Sequence, residues 1–176
     1  MWIETERLYL RALEKCDNDM LLQLINDPDT EFLLGGWSFP VSSNDQNKWF
    51  ETLSNTRDQL RCIVEEKENG TAIGTVMLTS IDYKNGTANI HIKLANENNR
   101  GKGYGRESVK ALIAYAFDEL RLNCIYAHIH ALNEPSQHMF EKCGFVREGI
   151  LRSRLFKRGQ FIDVYSYSIL AKEQRG

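Results

Sequence analysis

Long apolar runs are missing from this 176-residue chain. None approaches the ~20 residues a membrane-spanning helix needs, so no contact with membrane is expected. The start, Met1–Arg7, has no apolar core and carries Glu4 and Glu6, which predicts neither a secretory nor a mitochondrial leader. Proline is scarce: Pro28, Pro40 and Pro135 stand alone, and no Pro/Gly/Ser-rich linker divides the chain. A single domain over 1–176 is expected. Cysteine is also sparse. Cys16, Cys62, Cys124 and Cys143 form no CxxC and no Cys/His ligand spacing, which argues against a disulfide framework and a metal site and for reduced thiols in a cytoplasmic protein. Neither sign of charge dominates: 22 basic and 24 acidic residues leave a net charge of −2, so nucleic acid is not an expected partner.

What remains is an ordinary globular mixture, 42% apolar and 26% charged. Arg7–Leu13 alternates and predicts a strand. Asp17–Ile25 has helical spacing and should end at Asp27–Pro28. Glu31–Pro40 reads as a loop whose Phe32, Trp37 and Phe39 could line a pocket, and Ser43–Leu53 reads as a second helix. Strands are expected over Arg61–Glu65, Ala72–Ile81 and Thr87–Leu94, the last with Ala88, Ile90, Ile92 and Leu94 on one face and Asn89, His91 and Lys93 on the other. Val109, Leu112, Ile113, Ala116, Phe117 and Leu120 draw an unbroken stripe on the strongest helix. Cys124–His130 follows as a strand, and Asn133–Ser136 opens a short helix that Gly144 stops. Phe145–Leu155 and Phe161–Leu170 are two strands around a turn at Lys157–Gln160. The order predicts an α/β fold, with Thr87–His130 as a right-handed parallel crossover.

The segment between the third of these strands and the strong helix carries the chemistry. Asn98-Asn99-Arg100-Gly101-Lys102-Gly103-Tyr104-Gly105-Arg106 is glycine-rich and basic. A glycine turn at a helix start gathers backbone N–H groups at the positive end of the helix dipole. Gly101, Gly103 and Gly105 let a phosphate reach the backbone, and Arg100, Lys102 and Arg106 add charge, so a pyrophosphate is the natural ligand. Neither GxGxxG nor GxxxxGK[ST] is present, since position 106 is Arg.

The pattern R-x-x-G-x-G at Arg100–Gly105 resembles the acetyl-CoA pyrophosphate loop of the GNAT superfamily of N-acetyltransferases. Asn133-Glu134-Pro135-Ser136-Gln137-His138-Met139-Phe140-Glu141-Lys142-Cys143-Gly144-Phe145 is similar to that family's second hallmark, N-x-x-S-x-x-x-[YF]-x-K-x-G-F. Thr5–Arg11 is similar to the branch that holds ribosomal-protein and spermidine acetyltransferases. The resemblance implies a single-domain GNAT fold: a mixed, mostly antiparallel sheet of six to seven strands, a splayed central parallel pair and about four helices. It also implies acetyl-CoA as co-substrate and an acceptor amine on a small molecule or peptide, attacking the thioester directly in a ternary complex. By the same resemblance, Arg100–Arg106, including Tyr104, hold the pyrophosphate. The backbone at Ile92 and Leu94 holds the pantetheine arm, and Asn133, Ser136 and Phe140 line its other side.

Two positions depart from the family pattern. Asn89 stands where many relatives carry a Glu base, and Phe140 where many carry a Tyr acid. An amide cannot accept the amine's proton. His91, two residues on and on the same face, is the substitute base, with Asn89 ordering a water beside it. His128, His130, Glu31 and Asp82 are the other candidates. The run Arg147, Arg152, Arg154, Lys157, Arg158 is expected to be a solvated face, or else an aid to CoA or an acidic substrate. The missing Glu and Tyr leave a non-catalytic acyl-CoA-binding module as the alternative. Within the enzyme class a polyamine, a protein N-terminus and an amino sugar compete as acceptors. Phe161, Tyr165 and Tyr167 suggest an apolar edge for a homodimer.

Overall fold

In the computed structural model, residues 3–35, 38–53, 56–95 and 99–174 are described. The expectations for Gly36, Trp37 and Asn98 lie outside them. The strands are β1 (Ile3–Glu4), β2 (Leu8–Arg11), β3 (Leu60–Glu66), β4 (Ala72–Asp82), β5 (Thr87–Leu94), β6 (Cys124–His130), β7 (Val146–Lys157) and β8 (Gln160–Leu170). The helices are α1 (Asn18–Asn26), α2 (Pro28–Leu34), α3 (Ser43–Thr52), α4 (Tyr104–Asp118), α5 (Glu134–Lys142) and α6 (Ala171–Gln174). One sheet forms in the order β1-β2-β3-β4-β5-β6-β8-β7, antiparallel throughout except for the parallel β5–β6 pair. No described helix is long and apolar enough to cross a membrane.

Among the described residues, eight strands and six α-helices exceed the expected six to seven and about four. The additional strand, β1, has two residues, too few for alternation to register. Of the two additional helices, α6 has only four residues, and α2 replaces the first half of the expected loop Glu31–Pro40. Pro28 does end α1, but it also opens α2, where a missing N–H costs nothing. Asp27 caps that start by accepting from the Asp29 and Thr30 N–H groups, both at 2.8 Å.

The α4 stripe decides where the core sits. Val109, Leu112, Ile113, Ala116 and Phe117 are buried against Val64, Val76, Leu78, Ile90 and Ile125 on one face of the sheet. The opposite face is covered by α1, α2 and α3. The strand registers put Arg61, Met77 and His91 in one row on that face, and Ile63, Thr75 and Lys93 in the next. Polar and charged groups are thus carried toward the space beneath α1–α3.

The entry to α1 is set by an ion pair. Arg11 Nη1 and Nη2 donate to the two Asp17 oxygens, each at 2.8 Å, and Arg11 Nε donates to Glu65. The Glu14 N–H reaches Asp17 at 2.8 Å. Burial pushes the Asp17 carboxyl up, but Arg11 and the Glu14 N–H outweigh it and hold it below its ordinary 3.8. A depressed folded pKa stabilises the fold above the unfolded value and loses that contribution as pH falls through the folded one. Asp17→Asn should therefore cost about 1–3 kcal/mol in urea unfolding at pH 7 and progressively less below pH 3.8. An equal cost at both ends of that range would show that the charge does not matter.

β8 lies inside the sheet, between β6 and β7. Tyr167 is therefore core, not edge: it is fully buried, and its hydroxyl donates to Glu141 at 3.1 Å. Tyr165 lies under Arg147. The exposed aromatics of this hairpin are Phe156 and Phe161, 62% and 68% exposed and paired edge to face.

Candidate active site

The glycine loop delivers the geometry its residues imply. Gly103 caps α4 in the left-handed region at φ 85°, and Gly101 sits at φ 77°. No side chain caps the helix, so its first N–H groups are not taken by one. A Cβ on Gly101 would meet nothing within 4 Å. Arg100, Lys102 and Arg106 are exposed and make no ion pair among the described residues. An open concavity of N–H groups flanked by unpaired cations fits a pyrophosphate.

Two parts of this loop were not legible in advance. Arg7 supports it: Nη1 donates to the Lys102 carbonyl at 3.0 Å, Nε to Glu107 at 2.8 Å, and the guanidinium sits 4.7 Å from the Tyr104 ring. In the sequence Arg7 opens an alternating stretch and belongs to the Thr5–Arg11 resemblance, and neither points to Lys102. The Tyr104 side chain also turns away from the glycines, its hydroxyl donating to Glu66. Tyr104 can therefore serve a phosphate through its backbone only.

Beside the loop the central parallel pair opens. Pairing runs Thr87–Cys124, Ala88–Ile125, Asn89–Tyr126 and stops there. A narrow cleft of about 40 Å³ lies beyond, lined by Ile90–Lys93 on one side and Ala127–His130 on the other, with Asn133, Ser136 and Phe140 at its wall. Gly105 packs on this edge: its Cβ position is 3.7 Å from Leu94 and 3.8 Å from Ile92. Loop and cleft are therefore continuous, and the β5 edge without a strand partner fits the amides of an extended arm. Asn133 is buried and structurally committed, accepting from the Ser136 N–H and donating to the Leu33 carbonyl at 3.1 Å. Phe140 is buried edge-on against Phe145, 4.9 Å between centroids, and offers no proton.

Among the described residues lining the cleft there is no carboxylate. Asp82 is used elsewhere, accepting from the Lys84 and Asn85 N–H groups in the β4–β5 turn. Glu31 is bound by Lys157. The groups that can accept a proton are imidazoles. His91 Nε2 lies 3.0 Å from the Thr79 hydroxyl. Burial is the main influence pulling its pKa below 6.5, followed by the nearby charges of Lys93, His128 and Arg61. The neutral base is thus the form present at pH 7. Next to it, Asn89 Oδ1 is buried with no hydrogen-bond partner among the described residues. His130 is more constrained: its Nδ1–H donates to the Phe32 carbonyl at 3.2 Å, and burial holds it neutral too. His128 is exposed.

The basic run at the hairpin tip is only partly solvated. Lys157 bonds Glu31, and Arg158 covers the Phe32 ring at 4.1 Å and lies 3.7 Å from Asp29. The tip thus grips α2 from outside. From inside, the last carbonyls of α2 and its cap accept from the cleft: Phe32 from His130, Leu33 from Asn133, Gly35 from Lys93 at 3.0 Å. Such carbonyls have no partner within a helix and attract positive donors.

On the far side of Lys93 lies a larger cavity of about 540 Å³. Its floor is Arg61, Thr75, Met77 and Lys93, and its roof comes from α1 (Leu21, Leu24), the Pro40–Val41 segment and α3 (Asp45, Gln46, Trp49). Phe39, expected at a pocket, is 69% exposed and lines no part of this cavity; the cavity's aromatic among the described residues is Trp49 of α3, while Phe50 faces a separate cavity.

Known proteins share both sequence and architecture with this chain. An uncharacterized N-acetyltransferase of Bacillus licheniformis is 36% identical over 174 residues, covering 98% of this chain and 97% of its own. The spermidine N(1)-acetyltransferase of Vibrio cholerae is 32% identical over 166 residues, 93% of each chain. A crystal structure of spermidine N-acetyltransferase from Vibrio cholerae, in complex with CoA and spermine, superposes with a TM-score of 0.89 at 28% identity, covering 98% of this chain and 100% of that one. Residues 7–146 match the acetyltransferase (GNAT) domain, so the chain belongs to the GNAT family and is an N-acetyltransferase that uses acetyl-CoA to acetylate amines.

Proposed function

We propose that acetyl transfer takes place in the β5–β6 cleft, with the pyrophosphate of acetyl-CoA on Arg100–Arg106 and His91 as the base. The observation that carries this is the end of β5–β6 pairing at Asn89–Tyr126, which opens a cleft lined by imidazoles and free of carboxylates among the described residues. Acetyl-CoA supplies a thioester carbonyl carbon to which the amine nitrogen bonds as the C–S bond breaks. A β5 backbone N–H on the unpaired edge polarises the carbonyl oxygen. Asn89, whose buried Oδ1 lacks a partner among the described residues, orders a water beside His91. His91 takes the proton released when the C–N bond forms, and Thr79 holds the imidazole in place. Phe140 supplies no acid, and a thiolate leaves acceptably without one.

Calorimetry with acetyl-CoA, followed by free-thiol release with a panel of amines, tests this assignment. Tight binding and amine-dependent release are expected. Release that no amine accelerates would remove the transfer step.

The free thiols support a cytoplasmic location, and recovery from a secreted fraction would contradict it. Exposed Phe156 and Phe161 support pairing with a second copy through the hairpin tip. Light scattering should show a species above 20.3 kDa, and Phe161→Ser should lower it to 20.3 kDa. A wild-type monomer at micromolar concentration would end the pairing proposal.

A further inference from the structure

Resting on the transfer site proposed above, we infer that the acceptor is a short amine that also carries an anionic group, a carboxylate or a phosphate, held by Arg61 and Lys93 on the floor of the 540 Å³ cavity. The charges facing this side of the sheet are unequally balanced. Arg11 is neutralised by Asp17 and Glu65, and Lys157 by Glu31. Arg61 and Lys93 form no ion pair among the described residues. Arg61 Nε and Nη2 share one neutral acceptor, Gln59 Oε1, at 3.2 and 2.9 Å. Lys93 Nζ donates to the Gly35 carbonyl.

Glu31 acts on Lys93 through space, but Lys157 holds its carboxylate. Asp45, the carboxylate of the cavity wall, is tied to the Ser42 hydroxyl at 2.6 Å. The guanidinium thus keeps donors to spare in a setting of Leu21, Leu24, Met77 and Trp49, where charge-assisted bonds are strong. A bound anion would also restore the charged form of Lys93, which burial chiefly disfavours.

Lys93 lines both the cavity and the cleft. An anion anchored there places an amine on the same molecule beside His91, the residue across from Met77 in the Arg61 row. A polyamine would instead bring a second ammonium to a wall where Arg61 and Lys93 outnumber the one carboxylate, Asp45, and like charges in such a site repel.

The test compares three acceptors of similar length at saturating acetyl-CoA, γ-aminobutyrate, ethanolamine phosphate and n-butylamine, together with the longer polyamine spermidine. One of the two anionic amines should exceed n-butylamine in kcat/KM by about 10-fold or more, and which one does so separates carboxylate from phosphate. Spermidine should be poorest. Arg61→Gln and, separately, Lys93→Met should reduce the anionic preference toward one, mainly through KM, while Arg61→Lys keeps most of it. Spermidine as the best acceptor, or a preference that survives both charge-removing variants, overturns the inference. Turnover of n-butylamine without anionic preference fails this inference alone, whereas no turnover of any amine by acetyl-CoA-bound protein fails the transfer site as well.

Discussion

His91→Gln should lower turnover roughly 100-fold with acetyl-CoA affinity unchanged, the range typical of a general base. The amide keeps much of the imidazole's size and can still bond the Thr79 hydroxyl, but it cannot accept a proton. The pyrophosphate loop lies beyond the other end of the strand's cleft edge and is untouched. The pH profile separates a base from a structural role. In the wild type the acid limb of kcat should lie below pH 6.5, because burial and the charges of Lys93, His128 and Arg61 all disfavour the imidazolium. Arg61→Gln removes one of those charges and should move the limb toward pH 6.5. Wild-type turnover and an unshifted profile in His91→Gln would make His91 structural and leave the proton to water.

Gly103→Val should abolish measurable acetyl-CoA binding. Gly103 caps α4 at φ 85°, where a β-branched residue is strained by about 1–2 kcal/mol or more. Its Cβ would also come within 3.4 Å of Arg7 Nη2, and the valine methyls reach further. Either the loop leaves its conformation or Arg7 leaves Lys102 and Glu107, and in both cases the N–H groups lose their convergence. Gly101→Ala is the graded comparison. It has open space around Cβ but φ 77°, so a weaker loss of affinity is expected. A folded Gly103→Val protein that binds acetyl-CoA as the wild type does, by calorimetry, would place the pyrophosphate elsewhere.

Periodicity made much of this structure legible. The α4 stripe and the alternation of β5 each fix a face by themselves, and so the shared face of Asn89, His91 and Lys93 could be read from three residues. The splay followed from the family resemblance. What remained hidden depends on register and on double roles. Arg61 and Lys93 are 32 positions apart in the chain, and only the β3–β4 and β4–β5 registers bring them over one cavity. Asp27 and Pro28 end one helix and begin another, so the sequence signal for a stop concealed a start. Arg7, just before β2, and Tyr104, the first residue of α4, sit in patterns that say nothing of the contacts they make with Lys102 and Glu66. The order of β8 and β7 is not readable from composition, and so the sequence puts Tyr167 at an edge where the sheet buries it.

Helix α2 is seven residues long, well below the length at which a helix holds itself together in water. It persists because His130, Asn133 and Lys93 grip its last carbonyls and its cap while Lys157 and Arg158 press from outside. Three of those grips, His130, Asn133 and Lys93, come from residues that also line the transfer cleft. Helix α2, whose Leu33 and Leu34 line the cleft, is accordingly a separate unit of local stability: it melts when its grips are lost, while α4 and the pyrophosphate loop stay anchored in the core. Amide hydrogens of α2 should then exchange well ahead of those of α4, and gentle warming should erode discrimination among acceptors before it releases acetyl-CoA.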